Sequence, residues 1–453
     1  MADYIVGTMG ATRALARYVA TVRFGDLPAA VVHEARRAIV NWAGCAIGAS
    51  GYPTVHNAWR AMRPFAGAPQ ASLLGRRERT DVLHAALVNG ISSHVLDFDD
   101  THPDIFLHPS GPVASALLAL AEHRRASGRE FLAAFVAGVE VECRVARAVL
   151  PAHYDVGWHV TGTAGVFGAA AACAQLLGLG EQRTVFALGL AATQSSGLRE
   201  MFGSMAKSFH PGRAAQNGLA SALLAEADFT SADTAIEGKR GFAHVLSTTV
   251  DIEQCTAGLG EHYELLRNTY KPYACGLVIH PAIDACVRFR DKMGVTAANV
   301  ERIELAVHPM VMELTAKAAP RTGLEGKFSV FHAAAAAITD GDGGEAQFSD
   351  ARVNDPVVGA LRSRIRATAD PGVALDAARA VAMLRDGTCH EVFIEHCVGS
   401  VSQPMTYAQL QAKFRTQCEP VVGSARVTDA LALLDKIETL DDIGTCALAC
   451  AAA

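Results

Sequence analysis

The sequence predicts a mainly α protein: a large all-helical domain, with a smaller α+β domain inserted before the C-terminal tail. Three observations carry this. Apolar residues recur at helical spacing through most of residues 10–265. Half of the chain is apolar but only 6% is aromatic, and the Ala and Gly that dominate suit closely packed helices. Near Asn268 the pattern switches to strand-like alternation, and after Thr406 helical spacing returns.

Taken in order, residues 12–22 and 28–47 read as helices from their apolar spacing. Asp81 opens a helix that runs towards His94. Ser110 reads as an N-cap, with Pro112 in the first turn and apolar residues through Glu122. Residues 131–150, 163–177, 181–190 and 213–225 repeat the helical pattern, and Gly-Leu-Gly at 178–180 is a stop between two of them. Residues 300–308 alternate as a half-buried strand. Residues 378–385 and 390–398 read as two strands around the turn Asp386-Gly387-Thr388. Helices are expected at 331–338, after Asp355-Pro356, and again at 406–414 and 427–437. The chain, 453 residues long, exceeds one ordinary core. The expected division is therefore 1–267 plus 402–453 for the helical domain and 268–401 for the α+β domain. No long Ser/Pro linker separates them, so a ligand cleft is expected between intimate domains.

Composition excludes several functions. The net charge of −6 argues against nucleic acid as the main partner. The most apolar stretch, 164–180, is rich in Ala and Gly, carries Gln175 and is short for a membrane span. Met1-Ala2-Asp3-Tyr4 lacks the basic and apolar runs of a signal peptide. The eleven cysteines form no paired C-x-x-C pattern, so a cytoplasmic protein with reduced thiols is expected. Gly7-Thr8-Met9-Gly10 follows no strand and is no dinucleotide fingerprint. Asp340-Gly341-Asp342 faintly suggests a calcium loop, but Ala351 stands where its final glutamate belongs, so a turn is expected. No phosphate loop or nucleophile elbow is present.

The chemistry concentrates between His94 and Gly111, where three histidines, four aspartates and two His-Pro steps stand within eighteen residues. Asp97, Asp99 and Asp100 with Thr101, His102 and His108 suit acid/base catalysis, an imidazole being oriented by a carboxylate. A metal held by His102, His108 and an aspartate competes with this, though no H-x-x-x-H spacing supports it. A polar loop whose aspartates cap helices is the third reading. Trp158-His159 precedes an Ala-rich helix whose free N–H groups suit a carboxylate; a capped helix with a satisfied histidine competes. Lys207, His210 and Arg213 form a cationic cluster before another Ala-rich helix, where an anion would relieve the unfavourable dipole; a solvated basic loop competes. Lys271 and Tyr273 sit where the domains are expected to meet, within reach of a cleft or simply at the surface.

Together these segments resemble the MmgE/PrpD family over nearly the whole chain. The most specific part is Asp97-Phe98-Asp99-Asp100-Thr101 followed by His108-Pro109-Ser110-Gly111. Gly157-Trp158-His159, Lys207 with His210 and Gly212-Arg213-Ala214-Ala215, Lys271-Pro272 and Gly326-Lys327-Phe328-Ser329 support it. The family includes 2-methylcitrate dehydratases, cis-aconitate decarboxylases and iminodisuccinate epimerase. The resemblance implies the inserted α+β domain to be a lid, a homodimer, and an interdomain site without metal or organic cofactor. It implies Asp97, Thr101, His108, His159, Lys207 and Lys271 as site residues. His-Pro-Ser-Gly is similar to the decarboxylase and epimerase branch, whereas the dehydratases more often have His-Pro-Ser-Asp. Where the decarboxylases carry a site tyrosine, this chain has His332.

The expected substrate is a small di- or tricarboxylate that gains or loses a proton, or loses CO2, next to a carboxylate. The developing carbanion needs positive charge placed in advance. Lys207 and Lys271, with the helix starts after Ser110 and Thr161, are expected to supply it. His108 and His159 are the expected proton donor and acceptor, with Asp97 catalytic beside them. Thr101, His102, Ser110, His210, Arg213, Tyr273 and His332 are expected around the substrate. His94 reads as structural, at a helix end. A non-catalytic carboxylate binder with the same fold is the alternative.

Overall fold

Local sequence decides where several helices begin. Asp81 accepts hydrogen bonds from the N–H groups of Leu83 and His84 and so caps the helix that starts at Val82. Ser127 with Glu130, and Thr406 with Gln409, form capping boxes before the helices that start at Gly128 and Tyr407. In this computed structural model, which describes residues 10–452, the helical part comprises α1 (Ala11–Thr21), α2 (Ala29–Gly48), α3 (Val82–Val95), α4 (Ser110–Arg124), α5 (Gly128–Arg147), α6 (Gly165–Leu176), α7 (Gly180–Ala192) and α8 (Met205–Glu226). Later helices are α9 (His280–Met293), α10 (Val330–Asp340), α11 (Tyr407–Val422) and α12 (Ser424–Leu434). The expectations for residues 1–4 and 7–9 lie outside the described residues.

The small mixed sheet consists of β1 (Val300–Val307), β2 (Ile365–Ala369), β3 (Ala378–Leu384) and β4 (Cys389–Ile394), in the order β2-β1-β3-β4. β1 runs parallel to β2, and its register with β3 is antiparallel, Leu305 facing Ala380. β3 continues antiparallel into β4. Alternation foretells β1, β3 and β4 but not β2. That short edge strand pairs in parallel, through a long crossover that no local turn announces.

Two apolar clusters fill the interior. One joins α1, α2 and α4–α7 to α11 and α12, so the C-terminal tail packs back on the N-terminal helices. The other joins α3 and part of α8 to the sheet, α9 and α10. α8 contributes to both clusters, and it crosses α3 very closely. A Cβ placed on Gly90 would stand 2.6 Å from Gly212 Cα, and one on Gly212 would stand 2.5 Å from Leu87 O. This crossing brings the end of α3, with His94 and Asp97, to the start of α8, with Lys207 and His210.

Three local expectations need correction. α8 begins at Met205, so Lys207, His210 and Arg213 lie inside it rather than in a preceding loop; Pro211 and the charged residues hide its early periodicity. Ser110 is the first residue of α4 and its hydroxyl caps no N–H; it donates instead to Asp100 Oδ2 at 2.6 Å. Asp340 is the last residue of α10, which Gly341 ends at φ +77°, and residues 342–343 continue as irregular chain rather than a regular turn. Among the described residues, no helix is long and apolar enough to cross a membrane.

The α3–α8 crossing sets a stability test. Gly212→Ala forces its new methyl into the backbone of α3, an overpacking worth about 1–3 kcal/mol. Urea unfolding should show the free energy of unfolding lowered by that amount, and Gly218→Ala on the α6 side of the same helix provides a comparison.

Candidate active site

The site is built around one buried carboxylate. Just past the end of α3, Asp97 takes a left-handed backbone conformation, φ +50°, unusual for a residue other than glycine. Its Oδ1 lies 2.6 Å from Lys271 Nζ and 3.0 Å from Lys207 Nζ. Lys271 Nζ also donates to Asp97 O at 3.1 Å. Burial by itself raises the Asp97 carboxyl, but the two lysines outweigh it and hold the group well below the usual carboxylate range. Burial likewise lowers Lys207, and neighbouring Lys271 adds to that against the pull of Asp97. Lys271, nearer to Asp97 and doubly bonded to it, is raised despite its burial. Asp97 Oδ2 is buried without a partner.

Paired bridges hold this loop against the segment that carries Lys271. Thr101 N donates to Thr269 O and Thr269 N to Thr101 O, each at 2.9 Å. Asp100 Oδ2 accepts from Ser110 and from Asn268 Nδ2, the latter at 2.7 Å. Burial pushes Asp100 up to about 7. Its carbonyl faces His108 Nδ1 at 2.9 Å. A carbonyl only accepts, so in neutral His108 the proton sits on Nδ1 and Nε2 is left as a base. Burial holds His108 well below the ordinary imidazole range, and Lys271 reinforces this against nearby Asp99. Thr161 Oγ1 accepts the His108 backbone N–H at 3.2 Å.

His159 meets His210 through their Nδ1 atoms at 2.8 Å. Burial, with His210 and His94 behind it, also keeps His159 neutral. His94 lies between these groups. Its Nδ1 donates to Asp99 Oδ2 at 2.7 Å, and its ring centroid is 4.6 Å from that of His108 and 5.9 Å from that of His159. Sequence reasoning placed His94 outside the site, because its position at a helix end says nothing about which rings it meets.

Asp97, Thr101, His108, His159, Lys207 and Lys271 all line one cavity of about 490 Å³, its open mouth included. Apolar and aromatic residues complete the lining, with Phe106, Tyr154, Phe202, Leu314 and Phe328 among them. Phe202 and Phe328 stack with centroids 5.7 Å apart, and Lys207 Nζ lies 5.3 Å and 5.1 Å from those two rings. No pattern in the sequence marks these aromatics, apart from Phe328 beside the Gly326-Lys327 motif. Lys327 itself is structural, donating to Leu96 O and Ala274 O at 2.7 Å each.

Several expected residues stand off the cavity wall. His102 Nε2 pairs with Glu264 at 2.9 Å. Arg213 is exposed and bonds Gln216 within its own helix. Tyr273 donates to Asp284 at 2.5 Å. His332 Nε2 donates to Gln347 O at 2.8 Å, facing away from the cavity, and burial lowers its pKa to about 4. Ser110 and His210 act one step back, through Asp100 and His159. Neither Ser110 nor Thr161 lines the cavity, so its positive charge comes from the two lysines rather than from helix starts.

The helical fold and this cavity, with paired lysines and neutral histidines, define an enzyme of the mainly α class. The MmgE/PrpD N-terminal domain model matches residues 13–255 and the MmgE/PrpD C-terminal domain model matches 273–438, and the chain belongs to this family. It is similar to the cis-aconitate decarboxylase-like protein oryM of Aspergillus oryzae, 27% identical over 95% of each chain. It is 25% identical to the cis-aconitate decarboxylase of Aspergillus terreus, over 96% of this chain and 94% of that one. The mouse cis-aconitate decarboxylase is also 25% identical, over 95% of this chain and 91% of its own.

Asp97→Asn removes the charge shared by two buried ammonium groups, a loss of about 3–5 kcal/mol. Unfolding at neutral pH measures it. The depressed Asp97 pKa gives the sign of the pH effect. Its stabilisation is complete above the unfolded carboxyl value of about 3.9 and drains away as pH falls below that. The stability gap between wild type and Asp97→Asn should therefore narrow in acid.

Proposed function

We propose that the protein is a lyase of the cis-aconitate decarboxylase type, acting on a small di- or tricarboxylate without a metal or organic cofactor. The observation that carries this is the pairing of Lys207 and Lys271 with two neutral, differently tethered histidines around one cavity. The relatives named above support the substrate class. In the proposed reaction, the bond to the departing CO2 breaks. Its electron pair moves into the adjoining unsaturated carboxylate, and the two ammonium groups stabilise the charge that builds there.

His108 and His159 divide the proton work. Asp100 O holds the His108 Nδ1 proton, which leaves Nε2 to take the proton of the scissile carboxyl group and so free the carboxylate that breaks down to CO2. We assign His210 as the donor in the His159–His210 contact, which leaves a proton on His159 Nε2 to quench the carbanion. Asp97 holds both lysines in place, and Thr101 orients His108 through a 3.2 Å contact to Nδ1. The reading includes residues 268–401 as a lid over the cavity, a cytoplasmic location and a homodimer.

Proton NMR in D2O with cis-aconitate, 2-methylcitrate and iminodisuccinate tests the reaction type. Loss of CO2 with deuterium placed on the product carbon is the expected outcome. Dehydration or epimerisation in the same tubes would replace this reading with a sister reaction. His108→Ala should lower kcat by about 10²–10⁴-fold, and near-normal turnover would overturn its role. Because His108 is held neutral, kcat/KM should stay flat through neutral pH and fall only in acid. Exhaustive chelation should leave turnover intact.

A further inference from the structure

The three imidazoles of His94, His108 and His159 come together in a way that proton transfer by two of them does not require. One ring nitrogen from each lies within 4.8 Å of the others, and all three residues are buried. They arrive from separate places: the last turn of α3, the loop before α4, and the residue ahead of the short helix Val160–Thr163. Each ring is gripped from behind. Asp99 Oδ2 accepts from His94 Nδ1, Asp100 O accepts from His108 Nδ1, and His210 Nδ1 meets His159 Nδ1. His94 Nε2 is left buried with no hydrogen-bond partner.

We propose that this cluster is a binding site for a late divalent transition metal, with Zn2+ as its representative, and that occupancy blocks the enzyme. The ligand chemistry is specific. Three neutral imidazoles suit zinc, copper or nickel, whereas magnesium and calcium want oxygen. The backing groups are those that orient metal-bound histidines, a carboxylate behind one ring and a backbone carbonyl behind another. Tetrahedral zinc with Zn–N bonds of about 2.0–2.1 Å needs its nitrogens about 3.4 Å apart, so the rings close in by roughly an ångström. Asp97 and Asp99 offset the charge of Lys207 and Lys271 nearby, and the cavity leaves a fourth position for water or a carboxylate.

Metal binding itself needs no assumption about the reaction. Only the inhibition rests on His108 and His159 being the proton-transfer pair: the metal takes the His108 Nε2 lone pair, and it binds His159 Nε2 in the tautomer whose Nδ1 proton is donated to His210, displacing the proton that the reaction uses.

The test adds Zn2+ to the chelator-stripped full-length protein in competition with a chromophoric indicator. The wild type should take up one Zn2+ per chain, and X-ray absorption should show three nitrogen neighbours at about 2.0–2.1 Å. Asp99→Asn should weaken binding by about 10–100-fold, with His94→Ala at least as severe. His102→Ala should bind as tightly as wild type, because Glu264 holds that ring elsewhere. Failure to bind one equivalent overturns the site. So does unchanged affinity in Asp99→Asn, a variant that leaves all three rings in place and so answers the question even if His94→Ala does not fold. Zn2+ bound as expected, with turnover of the wild type undiminished, would keep the metal site and overturn the roles given to His108 and His159.

Discussion

The sharing of the Asp97 carboxylate between Lys207 and Lys271 is the contact on which the rest of the arrangement depends. Three charges lie in a buried setting where an unpaired one is costly. Their mutual compensation makes three distant parts of the chain meet at one point: the end of α3, the start of α8, and the segment after Thr269. That meeting requires α3 and α8 to approach until Gly90 and Gly212 touch, which no residue with a side chain permits at that distance. It also requires Asp97 to leave α3 with positive φ, turning its carboxylate back towards both lysines.

The C-terminal tail takes part in this. Lys413 on α11 donates to Phe98 O at 2.6 Å, Lys271 O at 2.9 Å and Asn41 Oδ1 at 2.8 Å. Burial lowers that lysine to about 8, while its ammonium rests 3.8 Å from the Phe98 ring centroid. One side chain thus grips the backbone on either side of the site, beside Asp97 and at Lys271. Lys327 does the same from the other direction, through Leu96 O and Ala274 O. Two buried lysines position the loops, and two others face the cavity.

The site's electrostatics follow from dryness. Burial keeps His108 and His159 neutral, so each can serve as a proton acceptor or donor rather than as a fixed charge. Lys207 and Lys271 are themselves buried, Lys207 beside Phe202 and Phe328, and burial strengthens the field of their charges. Asp99 and Asp100, adjacent in sequence, are driven apart. Asp99 is held below the usual range because His94 above all outweighs its burial, whereas burial raises Asp100 and neighbouring Asp99 adds to that.

By itself the sequence determined what short-range physics controls. Helical spacing marked α1 to α7, alternation marked β1, β3 and β4, and Asp81 announced the start of α3. Residue type and the resemblance picked out Asp97, Thr101, His108, His159, Lys207 and Lys271 before any geometry was known. Only the tertiary structure decided which of the titratable groups share a cavity. His102 lies six residues from His108 yet turns to Glu264, while His94, read as structural, stacks among the site imidazoles. His332 looks inward to Gln347 O, and Arg213 points to solvent from a helix that carries Lys207 into the site. The reason is physical. Periodicity reports which face of an element is apolar, but a side chain's partner depends on the crossing of whole helices, here set by two glycines 122 positions apart. Long-range contacts of that kind leave no trace in local spacing.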